Sequence, residues 1–263
     1  MPEHATLAVP LYDRFDDYDR FVNWERRLAY ELPFIEAQLE AAGARRVLDA
    51  ACGTGRHALA LAQKGYELLG ADLSAPMIER ARANAGAQGD DRVVTFFVAG
   101  FGELARSGQV LDVDALLCLG SSLPHVLTEA HLRATLADWH AALRPGGLLL
   151  VQNRNMDAVL AKRDRWMPVQ QHVEGGREWL FVRFYDFDEH GLTFNVVTLA
   201  RDEGESWAQR VDATRLVPWQ HAQLVAALAE AGFDEIACYG DMAGGNYDEA
   251  SSGNLVLTAR RRA

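Results

Sequence analysis

The chain has 263 residues, with 26 basic and 37 acidic side chains and a formal net charge of −11. Hydrophobic residues make up 49% and charged residues 24%, which excludes a chain that is disordered throughout and is typical of a globular protein. Because nucleic-acid binding requires clustered Lys and Arg, the acidic balance argues against a nucleic-acid partner. No apolar run approaches the ~20 residues needed to cross a bilayer, so we expect no membrane partner.

Cysteines, histidines and the first residues narrow the class of protein further. Cys52, Cys118 and Cys238 are too few and too scattered for a disulfide framework or a zinc site. The eight histidines show no metal-ligand spacing, so we expect no metal. Residues 1–4 have neither the basic nor the apolar region of a secretion signal. We therefore expect a cytoplasmic protein with a small-molecule partner; the oligomeric state stays open, a homo-oligomer included.

In chain order, residues 12–42 predict one or two helices that carry several aromatic side chains. From residue 45 onward, short apolar runs alternate with helical segments, which is typical of βαβ units. Strands are predicted at 46–50, 66–71, 93–98, 115–119 and 148–151, and helices at 57–64, 75–84 and 131–143. The sequence therefore predicts an α/β fold with a helical N-terminal segment.

The pattern changes after Arg154. Residues 178–200 and 207–217 alternate apolar and polar side chains, with turns at 189–191 and 203–204, and this predicts antiparallel strands. We expect them to form an insertion over one edge of the main sheet. A helix at 220–231 and strands at 233–239 and 254–259 then complete the fold.

A glycine-containing loop, residues 49–55, directly follows the first predicted strand and opens a helix. Gly53 and Gly55 let the backbone pass close under a ligand where a Cβ would collide. The helix N-terminus beyond them offers unpaired N–H groups to a polar ligand. Two glycines alone are also compatible with a tight turn. Asp49, at the carboxyl end of the strand, favours a binding site.

The second predicted strand ends at Asp72, 17 residues after Gly55. A carboxylate there can accept hydrogen bonds from both hydroxyls of an adenosine ribose. An NADP enzyme would carry a basic residue at this point, so free ribose hydroxyls are implied. Asp72 is also placed to cap the helix that begins after Ser74. With the glycine loop beside it, we favour a nucleoside-binding site.

Residues 47–55 closely resemble the first motif of the Rossmann-like S-adenosylmethionine-dependent methyltransferases. Asp72 matches the acidic ribose-binding residue of that class, and Leu143-Arg144-Pro145-Gly146-Gly147 matches its turn before the fifth strand. The resemblance covers residues 45–153. It implies a seven-stranded, mostly parallel sheet with one antiparallel strand, S-adenosylmethionine as cofactor and S-adenosylhomocysteine as product.

Two further segments are similar to the glycine N-methyltransferase group within that class. Residues 118–125, Cys-Leu-Gly-Ser-Ser-Leu-Pro-His, resemble its C-L-G-N-S-x-x-H signature, and residues 152–157 resemble its D-H-R-N-Y-D stretch. The resemblance implies that Arg154 binds the substrate carboxylate. It also implies that Arg27 binds the carboxylate of the cofactor. From the residues alone, Arg154 could instead pair with Asp157.

The same resemblance supplies the remaining candidate residues. His125 is the candidate catalytic residue and also a cofactor contact, although a surface or capping role is the alternative. Ser121 replaces the asparagine of the group, and Trp219 is a second substrate candidate, so the acceptor is expected to be larger or more aromatic than glycine. The other expected cofactor contacts are Tyr18, Trp24, Ala51, Met77, Gly100, Phe101 and Leu119, besides Arg27, Asp49, Gly53, Gly55 and Asp72.

These features divide the chain into a helical cap (1–42), a Rossmann-like domain (43–153 and 216–263) and a β-rich insertion on the substrate side (154–215). The favoured function is methyl transfer to a small molecule, at the amine nitrogen of an amino-acid-like or carboxylate-bearing acceptor. Transfer to oxygen or carbon is the nearest alternative. An NAD-dependent oxidoreductase is disfavoured because no Tyr-x-x-x-Lys pair is present, and a non-catalytic nucleoside-binding protein is the third reading.

Overall fold

The computed structural model describes residues 10–88, 94–189 and 191–262. Residues 1–9, at the start of the predicted cap, lie outside the described residues. The same holds for Val93, which begins a predicted strand, and for His190 in a predicted turn. The α-helices are α1 (Pro10–Arg14), α2 (Tyr18–Phe21), α3 (Trp24–Ala41), α4 (Arg56–Ala62), α5 (Ala75–Gln88), α6 (Glu129–Ala142), α7 (Met156–Lys162) and α8 (His221–Glu230). The strands are β1 (Arg46–Asp49), β2 (Glu67–Asp72), β3 (Val94–Val98), β4 (Val113–Cys118), β5 (Leu143–Arg154), β6 (Gln170–Glu174), β7 (Arg177–Asp188), β8 (Gly191–Asp202), β9 (Ala208–Leu216), β10 (Phe233–Tyr239) and β11 (Asn254–Arg261).

Seven of these strands form one sheet in the order β10-β11-β5-β4-β1-β2-β3. Strand β11 runs antiparallel to both of its neighbours, whereas the pairs among β1 to β5 are parallel. All six residues of β4 are buried, as expected for a central parallel strand that is covered on both faces. The predicted Rossmann-like sheet with one antiparallel strand is confirmed.

The two faces of this sheet carry separate hydrophobic cores, because successive strand side chains point to opposite faces. Val47 packs in a core with Ile35 of α3 and Leu59 of α4. Its neighbour Leu48 packs in the other core with Trp139 of α6. Both valine and leucine are fully buried, so β1 is fixed in register and its carboxyl end is held rigidly.

A second sheet has the antiparallel order β6-β7-β8-β9. Strands β7 and β8 pair along their whole length, from Arg177 opposite Asp202 to Asp188 opposite Gly191. The antiparallel strands predicted after residue 178 are therefore present. The sequence did not predict β6, nor helix α7, whose first turn is capped by the side chain of Asn155.

The N-terminal segment forms three helices, where the sequence predicted one or two. The chain becomes extended at Val22, and the side chain of Asn23 accepts a hydrogen bond from the backbone N–H of Arg26. An asparagine in this position begins a new helix because it satisfies an unpaired N–H group. Across the described ranges, no helix combines the length and apolarity needed to cross a membrane.

Candidate active site

The loop after β1 brings its two glycines to different surroundings. Gly53 has φ 52°, and a Cβ at this position would lie 3.6 Å from a ring carbon of Tyr18. Gly55 has φ 78° and is the N-cap of α4; a Cβ there would lie 2.7 Å from Cζ of Phe96. The absence of a side chain at Gly53 therefore leaves room between the loop and Tyr18, whereas its absence at Gly55 allows the loop to pack against Phe96 of the sheet.

Asp72 ties the glycine loop to the end of β2. Its Oδ2 accepts a hydrogen bond from the N–H of Gly53 at 2.9 Å, and its Oδ1 accepts one from the N–H of Ser74 at 2.9 Å. Burial raises the pKa of this carboxyl, although both N–H donors oppose the rise. The cap of α5 is the hydroxyl of Ser74, which accepts from Met77 N–H at 3.3 Å. Asp72 thus anchors the loop and also lines a cavity.

This cavity, which we call the cofactor cavity, has a volume of about 120 Å³ and lies above the carboxyl ends of β1, β2 and β4. Eight of the predicted cofactor contacts line it. They are Tyr18, Ala51, Gly53, Asp72, Met77, Gly100, Phe101 and His125. A ribose acceptor (Asp72), a half-buried aromatic ring (Phe101) and a close backbone approach (Gly53) together fit a nucleoside.

Helix α1 and the segment after it cover the cofactor cavity. The hydroxyl of Tyr12 lies 3.2 Å from Nε2 of His125, and Ser74 Oγ donates to Asp13 at 2.6 Å. Burial lowers the pKa of His125 to about 4. The imidazole is therefore neutral at physiological pH and is a weak base there.

Asp49 is only 2% exposed and lies beneath the loop, outside the residues that line the cofactor cavity. Its Oδ1 accepts a hydrogen bond from the N–H of Ala51 at 3.3 Å. Burial raises its pKa to about 7; the negative charge of Asp72 adds to the rise, and Arg27 opposes it. A cation placed next to this carboxyl would stabilise its ionised form.

Arg27 is held by a buried carboxylate. Its Nε donates to both oxygens of Glu31 at 3.1 Å, and Glu31 also bonds Nε2 of His57 at 2.7 Å. Burial alone would raise the pKa of Glu31, but the bond from His57 and the charge of Arg27 hold it below its usual value. A guanidinium nitrogen of Arg27 lies 3.4 Å from the position that a Cβ on Gly120 would occupy.

A second cavity, which we call the acceptor cavity, has a volume of about 1100 Å³. It shares Tyr12, Tyr18 and Gly120 with the cofactor cavity, so the two are adjacent. The N-terminal helices, the end of β5 and one face of the four-stranded sheet surround it. Besides Tyr18, four predicted site residues line it, namely Trp24, Arg27, Ser121 and Arg154.

Arg154 ends β5 beside Ser121, whose Oγ accepts its backbone N–H at 2.5 Å. Its guanidinium lies 5.7 Å from the ring centre of Tyr185. Among the described residues, no Asp or Glu forms an ion pair with Arg154. The alternative pairing with Asp157 is not observed; that carboxylate instead accepts hydrogen bonds from other groups, including the N–H of His221 at 2.9 Å.

Besides Asp49, three predicted site residues lie outside both cavities. Leu119 is 3% exposed and packs in the core, and Gly55 packs on Phe96. Trp219 is 4% exposed, and its Nε1 donates to the carbonyl of Val126 at 2.9 Å. The structure thus places Trp219 in the core rather than beside the acceptor cavity, because its large apolar ring is buried under α8.

Sequence reasoning missed several residues of the acceptor cavity. It did not predict Tyr185, which lines this cavity next to Arg154. Arg183 also lines the cavity. Their spacing of two along a predicted strand was the available signal, because it places both side chains on one face.

Comparisons with known proteins agree with this geometry. A family model described as a methyltransferase domain matches residues 47–147. A glycine/sarcosine N-methyltransferase of Aphanothece halophytica is 30% identical over 230 residues, which cover 86% of this chain and 80% of that protein. A glycine/sarcosine/dimethylglycine N-methyltransferase of Actinopolyspora halophila is 36% identical over 145 residues, but the match spans only 25% of its length and 55% of this chain.

Among solved structures, the CcbJ methyltransferase from Streptomyces caelestis shares this fold, with a TM-score of 0.76 and 24% identity over 96% of this chain and 98% of that one. The methyltransferase-domain match, the relative aligned over 86% of this chain and the glycine loop tied to Asp72 identify the cofactor as S-adenosylmethionine. The chain belongs to the class I S-adenosylmethionine-dependent methyltransferases.

Proposed function

We propose that this enzyme methylates the amine nitrogen of a small acceptor that carries a carboxylate. The observation that carries the proposal is Arg154, a cation without an acidic partner among the described residues, in the wall of a cavity adjacent to the cofactor cavity. A guanidinium can bind a carboxylate through two parallel hydrogen bonds, which fixes the orientation of the acceptor. Both relatives described above are N-methyltransferases of glycine and sarcosine, and this supports an amino acid as the acceptor.

The cofactor supplies a sulfonium methyl group that is already activated for transfer. With the cofactor bound, the acceptor ammonium would first lose a proton to solvent, and the amine lone pair would then take the methyl group while the S–C electron pair stays on sulfur. The protein therefore has to align the acceptor and exclude water, and alignment can contribute ~7–11 kcal/mol to lowering the barrier. Tyr12 and Tyr18, shared by both cavities, are the side chains that we expect to close this junction.

An amine acceptor is favoured over a hydroxyl because His125 is a weak base. Its pKa, lowered to about 4 by burial, makes it a poor proton acceptor near neutral pH. A hydroxyl must lose its proton during attack, whereas an ammonium loses its proton beforehand when a poorly solvated site lowers its pKa. His125 instead orders Tyr12 through the contact at 3.2 Å.

On the cofactor side, we propose that Asp72 accepts from the ribose hydroxyls and that Arg27, braced by Glu31, binds the cofactor carboxylate. We assign Asp49, the buried carboxylate beneath the glycine loop, as the partner of the cofactor's ammonium group. We assign residues 1–42 as the cap, 43–153 with 216–263 as the cofactor domain, and 154–215 as the acceptor side, because β7 and β8 supply part of the acceptor cavity.

The test is the Arg154→Gln variant, which keeps a polar side chain and removes the charge. We expect the KM for the best acceptor among glycine, sarcosine, L-aspartate and L-glutamate to rise about 10- to 100-fold, as for the loss of a charge-assisted hydrogen bond, with the Kd for S-adenosylmethionine unchanged. The rate of S-adenosylhomocysteine release gives the KM, and calorimetry gives the Kd for S-adenosylmethionine. Arg133→Gln, on the exposed face of α6, is the matched control. Equal KM values for both variants, or methylation of hydroxyl compounds only, would refute the proposal.

A further inference from the structure

A second arginine faces the same cavity from the four-stranded sheet. Arg183 and Tyr185 are two residues apart on β7, so their side chains project from the same face. Their partners across the ladder, Val196 and Phe194, also line the acceptor cavity. Arg183 is therefore part of a continuous wall rather than a surface side chain.

The polar atoms of Arg183 are poorly satisfied. Its Nε is buried without a hydrogen-bond partner among the described residues, and one terminal nitrogen makes only a long bond of 3.4 Å to the carbonyl of Pro168. Its guanidinium lies 5.0 Å from the ring centre of Phe21. No Asp or Glu in the described part of the chain forms an ion pair with it. A half-buried cation in this state is costly unless a ligand pairs with it.

Arg183 is also close to Arg154. Burial lowers the pKa of Arg183, and the charge of Arg154 lowers it further. Burial raises the pKa of Tyr185, and the charges of both arginines oppose that rise. Two cations therefore flank one tyrosine. Since like charges repel, this arrangement favours an anion on each of them.

Strand β6 adds two more unpaired polar atoms to this wall. Oε1 of Gln170 and Nε2 of His172 are buried without hydrogen-bond partners among the described residues, and both side chains line the acceptor cavity. By contrast, the other half-buried arginines of the cavity are paired: Arg27 with Glu31, and Arg56 with Asp19. Three of the buried polar atoms without partners among the described residues, on Arg183, Gln170 and His172, thus line this one cavity.

We propose that Arg183 is a second anion-binding group and that the acceptor is an amine with two acidic groups, one bound by Arg154 and the other by Arg183. This rests on the proposed function, because it takes Arg154 as the partner of the first carboxylate. The second group is a carboxylate or a phosphate, since a guanidinium binds both in the same geometry.

Matched pairs of acceptors test this, because the members of each pair differ in one charge. The pairs are L-glutamate and L-glutamine, L-aspartate and L-asparagine, and O-phospho-L-serine and L-serine; the last separates phosphate from carboxylate. We expect the acidic member of at least one pair to be preferred about tenfold or more in kcat/KM. Arg183→Gln should remove most of that preference, and Arg183→Lys should keep part of it. Arg177→Gln, at the exposed start of the same strand, should retain it.

Binding without chemistry distinguishes failure of this inference from failure of the proposed function. Glutarate and butyrate, which have no amine, are titrated into the complex with S-adenosylhomocysteine. We expect glutarate to bind about tenfold or more tightly than butyrate, and Arg183→Gln to abolish the difference. Thermal unfolding checks that each variant folds; if Arg183→Gln does not, the wild-type pairs and Arg183→Lys decide.

The outcomes separate the two proposals. Methylation of glutamine, asparagine and serine, each as fast as its acidic partner, overturns the second anion site and leaves the proposed function intact. Preferential binding of glutarate with methylation of no amine supports the anion site and overturns the proposed function. Absence of both the binding preference and turnover overturns both.

Discussion

Asp49 is an anion that the fold buries at a cost, and replacing it with asparagine should stabilise the cofactor-free protein. The carboxyl is 2% exposed, has one hydrogen bond at 3.3 Å to the N–H of Ala51 and lies near Asp72. Burial, with the Asp72 charge adding to it, raises its pKa from 3.8 to about 7. Asparagine has almost the same shape and carries no charge.

Proton linkage fixes the direction in which the free energy of unfolding changes with pH. Between pH 3.8 and about pH 7 the folded protein binds a proton at Asp49 that the unfolded chain releases, so the free energy of unfolding falls as the pH rises through this window. A difference of about 3 pKa units corresponds to about 4 kcal/mol above the window. About 2–3 kcal/mol of this cost develops between roughly pH 5 and pH 8.

Urea unfolding of the cofactor-free wild type and the Asp49→Asn variant near pH 5 and pH 8 measures the effect. The stability advantage of the variant should grow by about 2–3 kcal/mol over this interval, since other groups titrate alike in both proteins. Asp112→Asn, which removes an exposed carboxylate, is the control and should show no such growth. The variant should also bind S-adenosylmethionine less tightly. A pH-independent advantage would refute the reasoning.

Two further substitutions test the glycine loop and the contact between Glu31 and Arg27. Gly55→Ala should lower the free energy of unfolding by about 2–4 kcal/mol, because the positive φ is strained for alanine and the new Cβ would clash with Phe96. Gly86→Ala is the control, since its Cβ would meet no atom within 4 Å; it should be neutral or stabilising when the two denaturant curves are compared. Glu31→Gln should weaken S-adenosylmethionine binding about tenfold by releasing Arg27, and an unchanged Kd in calorimetry would contradict that role.

Local pattern was sufficient for the sheet and for the floor of the cofactor cavity. Gly53 and Asp72 are separated by fewer than 20 residues, and parallel pairing of β1 with β2 places Asp49 opposite Gly70. Gly53 and Asp72 come together because β1 and β2 are adjacent in the sheet and each residue follows or ends one of these strands at the same edge. Strands and short-range spacings of this kind are encoded by hydrophobic alternation and glycine positions, which the sequence displays directly.

Helix boundaries that depend on single capping side chains were less predictable. Asn23 starts α3 and Asn155 starts α7, each by accepting one backbone N–H. Asparagine is also common in turns, so its presence in the sequence does not by itself distinguish the start of a helix from a loop. Strand β6 was missed because it is short and pairs only with β7.

By itself, the sequence determined the class of fold, the cofactor loop and the arginine at the end of β5. Only the tertiary structure decided which distant residues share a wall: Tyr12 meets His125, Arg183 comes to face Arg154, and Trp219 turns into the core. These contacts join elements far apart in the chain, and they form because whole faces of helices and sheets pack together. No local period carries that information, so the acceptor cavity became visible only in the folded chain.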